Sequence, residues 1–126
     1  ADYCFQNTPI KKIVGNQIEE IGSSAFFDAY FMEHICLKNV KTIGSRAFSC
    51  CNLNEVKNNF ITELIEQQFE FNSKIEKVKM PKLQRLVTDV FQDTTIHEFD
   101  TKNLAKIEIP QDYFDERQVN VIKTVH

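Results

Sequence analysis

The apolar positions of the chain recur with a period near 22, far longer than the 2.0 of a lone strand or the 3.6 of a helix. Ile21-Gly22-Ser23-Ser24-Ala25-Phe26 returns as Ile43-Gly44-Ser45-Arg46-Ala47-Phe48, and the same frame continues through Leu64 to Phe69 and Leu86 to Phe91. Counting back from each phenylalanine, five repeats of 21–23 residues start near Ile10, Met32, Leu53, Ile75 and Ile96. Three residues after each start stand Ile13, Ile35, Val56, Val78 and Phe99. Eight residues on are Ile18, Val40, Ile61, Leu83 and Leu104, and eleven on are Ile21, Ile43, Leu64, Leu86 and Ile107. These four columns are apolar without exception.

Two columns are less regular. The phenylalanine column holds Phe26, Phe48, Phe69 and Phe91, then fails at Asp112, where two extra residues shift it to Phe114. Five residues after each start, Leu37 and Met80 fit, while Gly15, Asn58 and Thr101 do not. The pattern also overruns both ends. Phe5 falls where a preceding phenylalanine belongs, and Val119-x-x-Ile122 opens a following repeat, so partial repeats occupy 1–9 and 119–126.

Such columns predict a parallel-stranded coil. In Ile75-Glu76-Lys77-Val78-Lys79-Met80-Pro81, Val78 and Met80 alternate with Lys79, as in a half-buried strand. Proline or asparagine then turns the chain, as at Pro81 or Asn58-Asn59. A second edge such as Leu83-x-x-Leu86 returns across the core, and the phenylalanine closes the far side. One coil cannot cover its own apolar face, so stability requires stacking against neighbours. A helical array is the competing reading. The β-branched residues early in each repeat and the short period both speak against it. The predicted fold is a leucine-rich-type repeat solenoid, one domain across the chain.

Val40-x-x-Ile43-Gly44-x-x-Ala47-Phe48-x-x-Cys51-x-Leu53-x-x-Val56 resembles the BspA-like leucine-rich repeat family, whose repeats carry an Ile-Gly-x-x-Ala-Phe turn, a cysteine three residues on, and a Leu-x-x-Ile-x-Ile-Pro strand. Ile18 to Phe26 matches the first part again, and Ile75 to Pro81 and Leu104 to Pro110 resemble the strand. Leu104 to Pro110 aligns either as that strand or as the return edge. The resemblance implies a solenoid with its parallel sheet on the concave face and turns or 3-10 segments on the convex side. It also implies surface or secreted proteins of bacteria and parasitic protists that bind host or matrix proteins or other cells.

Composition narrows the function. The chain has 126 residues, 42% hydrophobic and 26% charged, with a formal net charge of -3. That balance gives no general attraction to nucleic acid or anionic membrane. No stretch reaches the roughly 18 apolar residues of a membrane span, and no signal peptide is visible at the start. Cys4, Cys36, Cys50 and Cys51 lack C-x-x-C spacing, so a zinc ribbon is not expected and free thiols are. Phosphate, dinucleotide and hydrolase motifs are missing, no N-x-S/T sequon occurs, and no cofactor is implied. His34, His97 and His126 fall in different columns.

The expected recognition surface is the outward side of the strands. Two residues after each start stand Lys12, His34, Glu55, Lys77 and Glu98, and four after stand Val14, Cys36, Lys57, Lys79 and Asp100. Stacking turns these columns into one face, with Lys57, Lys77 and Lys79 as a basic centre flanked by Glu55, Glu98 and Asp100. The plainer reading is a solvated, mixed-charge sheet surface. His34 and Cys36 point the same way on one strand, but i, i+2 neighbours lie roughly 6–7 Å apart. The sequence supplies no acidic partner to make them catalytic or metal-binding. A protein partner at this face is expected, a spacer role is the alternative, and the open ends predict a longer parent chain or end-to-end self-association.

Overall fold

The computed structural model describes Phe5 and residues 8–109. Ten short strands follow one another: β1 (Lys12–Ile13), β2 (Glu20–Ile21), β3 (His34–Ile35), β4 (Thr42–Ile43), β5 (Glu55–Lys57), β6 (Glu63–Leu64), β7 (Lys77–Lys79), β8 (Arg85–Val87), β9 (Glu98–Asp100) and β10 (Lys106–Glu108). A 3-10 turn at Thr88–Phe91 is the one helical element among the described residues. Every coil contributes one odd-numbered strand and one even-numbered strand, and the first four add a phenylalanine-bearing turn. All strand pairs are parallel, because each coil repeats the path of the one before.

The return edge is therefore itself a strand. Sequence periodicity marks it by only two apolar residues per coil, too few to separate strand from extended loop. Leu104 to Ile109 takes this role in the fifth coil, since β10 pairs with β8 in the register Ile107↔Leu86. That pairing decides between the two alignments open to the sequence. The expectations for Asp112, Phe114, Val119, Ile122 and Cys4 fall outside the described residues.

The phenylalanine column forms a continuous stack. Phe5, Phe26, Phe48, Phe69 and Phe91 lie nearly parallel, with successive ring centroids 4.8, 5.1, 5.5 and 5.6 Å apart. Phe99 meets Phe91 edge-on at 5.6 Å. Backbone bonds tie the same edge together, as in Phe26 N–H to Ala47 O, Phe48 N–H to Gln68 O and Phe69 N–H to Val90 O. In the first three coils residues on either side of the ring adopt positive φ, for example Arg46 at 53° and Cys50 at 59°, and in the fourth the 3-10 turn replaces the first of the pair.

Three residues after Phe48 and after Phe69 the side chain donates to the preceding coil. Cys51 is buried there, and its thiol points at Phe26 O of the preceding coil, 3.0 Å away. Asn72 holds the same slot one coil later and donates from its amide to Phe48 O at 2.7 Å, while its oxygen accepts from Leu53 N–H. A cysteine and an asparagine thus perform one task, donating to the phenylalanine carbonyl of the preceding coil.

Asn58 and Thr101, which break the apolar pattern five residues into their repeats, are nonetheless buried, each about 1% exposed. The column is a core column, and in the third coil a polar side chain fills it. Asn58 donates to Leu37 O (2.8 Å) and Val40 O (2.6 Å) of the second coil. Its oxygen accepts from Phe60 and Ile61 N–H.

The strand ladders are not continuous. β1 pairs with β3 and β2 with β4, while β5-β7-β9 and β6-β8-β10 form separate sheets. Both sides of the solenoid therefore open between the second and third coils, and the phenylalanine edge alone keeps its ladder there. The break coincides with a change of residue twelve positions into the repeat. Gly22 and Gly44 occupy it in the first two coils, Ile65 and Val87 in the next two. At Gly44 an added Cβ would lie 2.7 Å from Ser23 Cα and 2.8 Å from the Gly22 carbonyl carbon. At Gly44 the first two coils approach too closely for any side chain to fit without a shift. Gly44→Ala should cost about 1–3 kcal/mol by overpacking, read as a lowered denaturation midpoint. An unchanged midpoint would show that the close approach is not required.

Candidate functional site

The outward columns of the odd-numbered strands stand in register. Lys12 pairs with His34, and Glu55, Lys77 and Glu98 lie side by side. Lys57, Lys79 and Asp100 form the next row. Strands β5 and β7 each place one valine, Val56 or Val78, in the core and expose the residues on both sides of it. Alternation along the strand and pairing between coils together produce the face.

Its charges are largely matched. Lys57 Nζ lies 3.6 Å from Glu55, and Lys77 Nζ lies 3.9 Å from Glu98. Both pairs are exposed, so each is worth at most about 1 kcal/mol and yields readily to a partner. Lys79 sits in register between Lys57 and Asp100. Stacking thus gathers the three lysines while pairing two of them with glutamates.

His34 and Cys36 are separated from Glu55 and Lys57 by the break in the ladder. A cavity of about 350 Å³ lies between them, with Ile35, Leu37 and Leu53 also on its walls. The sequence columns place Glu55 beside His34 and Lys57 beside Cys36 but do not show the gap between them, which arises from how two coils meet. Among the described residues no group of three or more His, Cys, Asp or Glu side chains is arranged to hold a metal ion.

Sequence reasoning also missed two charged clusters elsewhere. On the even-numbered side Arg85 bridges Glu63 at 3.2 Å and Glu108 at 3.0 Å, reaching one coil in each direction. On the phenylalanine edge Glu70 is buried, accepts from the Ser49 hydroxyl at 3.2 Å and lies 3.5 Å from Arg46. Burial pushes the Glu70 carboxyl above its usual range, with the Ser49 hydrogen bond and the Arg46 charge opposing. Its neutral form is therefore favoured by folding. This contribution is complete below the ordinary glutamate range and is lost as pH rises through the raised value.

Cys36, Cys50 and Cys51 are free thiols. Burial raises Cys51 to about 12, and burial together with the neighbouring Asp28 raises Cys50 to about 11. Both are fully protonated near neutrality and are poor nucleophiles. Iodoacetamide at neutral pH should label Cys36 first, Cys50 slowly and Cys51 only on unfolding, as followed by peptide mass spectrometry. Cys51 reacting as fast as Cys36 in the native protein would contradict the packing of its turn.

The profile of the BspA type leucine-rich repeat region matches residues 1–120 in six copies. The chain belongs to this family. The Phe5 ring extends the phenylalanine stack by one ring before Phe26. Comparison with curated proteins and with solved structures finds no match. A BspA-type solenoid is typically a non-enzymatic repeat scaffold. Among the described residues no helix is long and apolar enough to cross a membrane.

Proposed function

We propose that this BspA-type segment is a protein-recognition module of a cell-surface or secreted protein, and that its partner docks on the face of β5, β7 and β9. The observation that carries the reading is the in-register block of exposed side chains, Glu55, Lys57, Lys77, Lys79, Glu98 and Asp100. Three hydrogen-bonded strands hold these side chains on one rigid surface, which limits the ordering cost of binding. Their charges are mixed in sign, alternating along Glu55, Lys77 and Glu98 and running Lys57, Lys79, Asp100 in the next row, a pattern suited to a partner with complementary charges and better at setting specificity and association rate than raw affinity. His34 and Cys36 extend the face across the cleft.

The ion pairs on this face favour one other reading. Lysines already neutralised by Glu55 and Glu98 are also what a solvated spacer surface carries. Replacing Lys57, Lys77 and Lys79 by alanine separates the two, with a pull-down from host-cell or matrix extract as the measurement. A recognition face should lose its partner at least tenfold, as expected when several interfacial charges are removed. A partner retained equally by wild type and variant would move the binding site off this face. No partner for either would favour the spacer.

A further inference from the structure

Between the second and third coils the solenoid presents two strand edges to a single gap. β3 pairs only with β1, and β5 only with β7, so each turns one edge toward the space between them. The direction of the free groups follows from the intact junctions. His34 and Glu98, which hold the same place in their coils as Glu55, donate their amides back to Lys11 O and Glu76 O at 3.2 and 3.3 Å. The Glu55 amide therefore faces the second coil, where β3 offers it no ladder. Hydrogen bonds bracket the opening at Asn52 N–H to Met32 O and Asn59 N–H to Lys38 O. Asn58 holds the far corner through Leu37 O and Val40 O. The gap is bounded on three sides and open to solvent on the fourth.

Its size and lining define what it can hold. An extended residue occupies about 3.3 Å of rise, 4.8 Å of sheet width and 10 Å of depth, or about 160 Å³. A cavity of about 350 Å³ thus takes about two residues, the length of β3 itself. Ile35 and Leu53 form an apolar floor, and His34, Cys36, Glu55 and Lys57 form a polar rim. A strand in the gap would place one side chain on the floor and the next at the rim, matching the alternation of its neighbours.

Solenoids protect their edges at the two ends, but this pair lies in the interior. We infer that the cleft between β3 and β5 binds an extended peptide segment of a partner protein, which adds a strand between the two coils and pairs with the free backbone of both. The inference rests on the recognition reading and specifies its mode: backbone hydrogen bonds supply the affinity, and the alternating pockets supply the selectivity. The peptide carries a small apolar residue facing Ile35 and Leu53, flanked by polar residues facing the rim.

Phage-displayed random heptapeptides, selected on the full chain, provide the probe. Selected sequences should alternate apolar and polar residues and protect the Glu55 and Lys57 amides from hydrogen exchange. N-methylation of either alternate set of peptide amides should weaken binding about tenfold or more, because one set faces β3 and the other β5. This measurement leaves the protein unaltered, so it stands even where Glu55→Pro, which removes the amide on the protein side, disturbs the fold. No selected peptide, or binding indifferent to N-methylation, would overturn the inference. Dimerisation that protects the same amides would also overturn it, because the occupant would then be a second copy. Loss of a pulled-down partner in the lysine variant, with no peptide bound in the cleft, would leave the recognition reading intact and remove only this mode.

Discussion

Phe48→Ala should destabilise the protein by about 4–6 kcal/mol, combining roughly 3–5 kcal/mol for a large-to-small change in a core with the loss of two ring contacts. Phe48 is fully buried at the middle of the stack, 5.1 Å from Phe26 and 5.5 Å from Phe69. Its position amplifies the effect. Between the second and third coils the two strand ladders are open, so the phenylalanine edge carries most of the backbone pairing at that junction. A domain of this size has about 5–15 kcal/mol in total, and the variant should be near its unfolding threshold at 37 °C. Urea denaturation followed by circular dichroism measures the loss. A change below about 1 kcal/mol would mean that the stack does not hold the junction.

Asn58→Ala should cost about 3–5 kcal/mol, through hydrogen bonds left unmade more than through lost volume. The substitution strips partners from Val40 O of the second coil and from Phe60 and Ile61 N–H of the third, while Leu37 O keeps only the Val40 N–H at 3.2 Å. Each buried group left unsatisfied costs about 1–3 kcal/mol, and water entering from the neighbouring cleft relieves part of the total. Asn58→Leu tests the polar origin of the effect. If simple filling of a core position were what mattered, leucine would match Leu37 and Met80 in the same column and restore stability. The hydrogen-bonding account predicts that leucine is as damaging as alanine.

Asn58 also shows where the sequence stops being legible. Period, strand positions and the phenylalanine stack follow from which residues are apolar, because burial repeats with the coil. In that code an asparagine in a core column reads as a gap, although here it is the side chain that joins two coils. Asn72 carried no signal by pattern alone, yet it occupies the slot of Cys51 and caps the equivalent carbonyl. Its position three residues after Phe69 pairs it with Cys51, three residues after Phe48, once the slot is treated as a donor position.

The candidate face divides in the same way. Alternation along β5, β7 and β9 told which side chains point outward, and the repeat told which lie side by side. Ion pairing within the face depends on side-chain reach between neighbours, which a column listing does not contain. The cleft beside His34 and Cys36 was further from view. It depends on the spacing between coils, to which contacts such as Gly44 on Gly22 and Ser23 contribute. A periodic pattern reports what is buried within a coil and is nearly silent on how far apart two coils sit.

The central claim is that one edge of this solenoid is continuous while both strand sides part between the second and third coils. Residue-resolved amide hydrogen exchange by NMR tests it most directly. The account predicts slow exchange at Phe26, Phe48 and Phe69 and at Lys77, Arg85 and Glu98, whose amides face intact ladders. Glu55 and Glu63, which hold the equivalent places beside the opening, should exchange markedly faster. Protection of Glu55 and Glu63 equal to that of Lys77 and Arg85 would contradict it, and would describe a solenoid closed along its whole length.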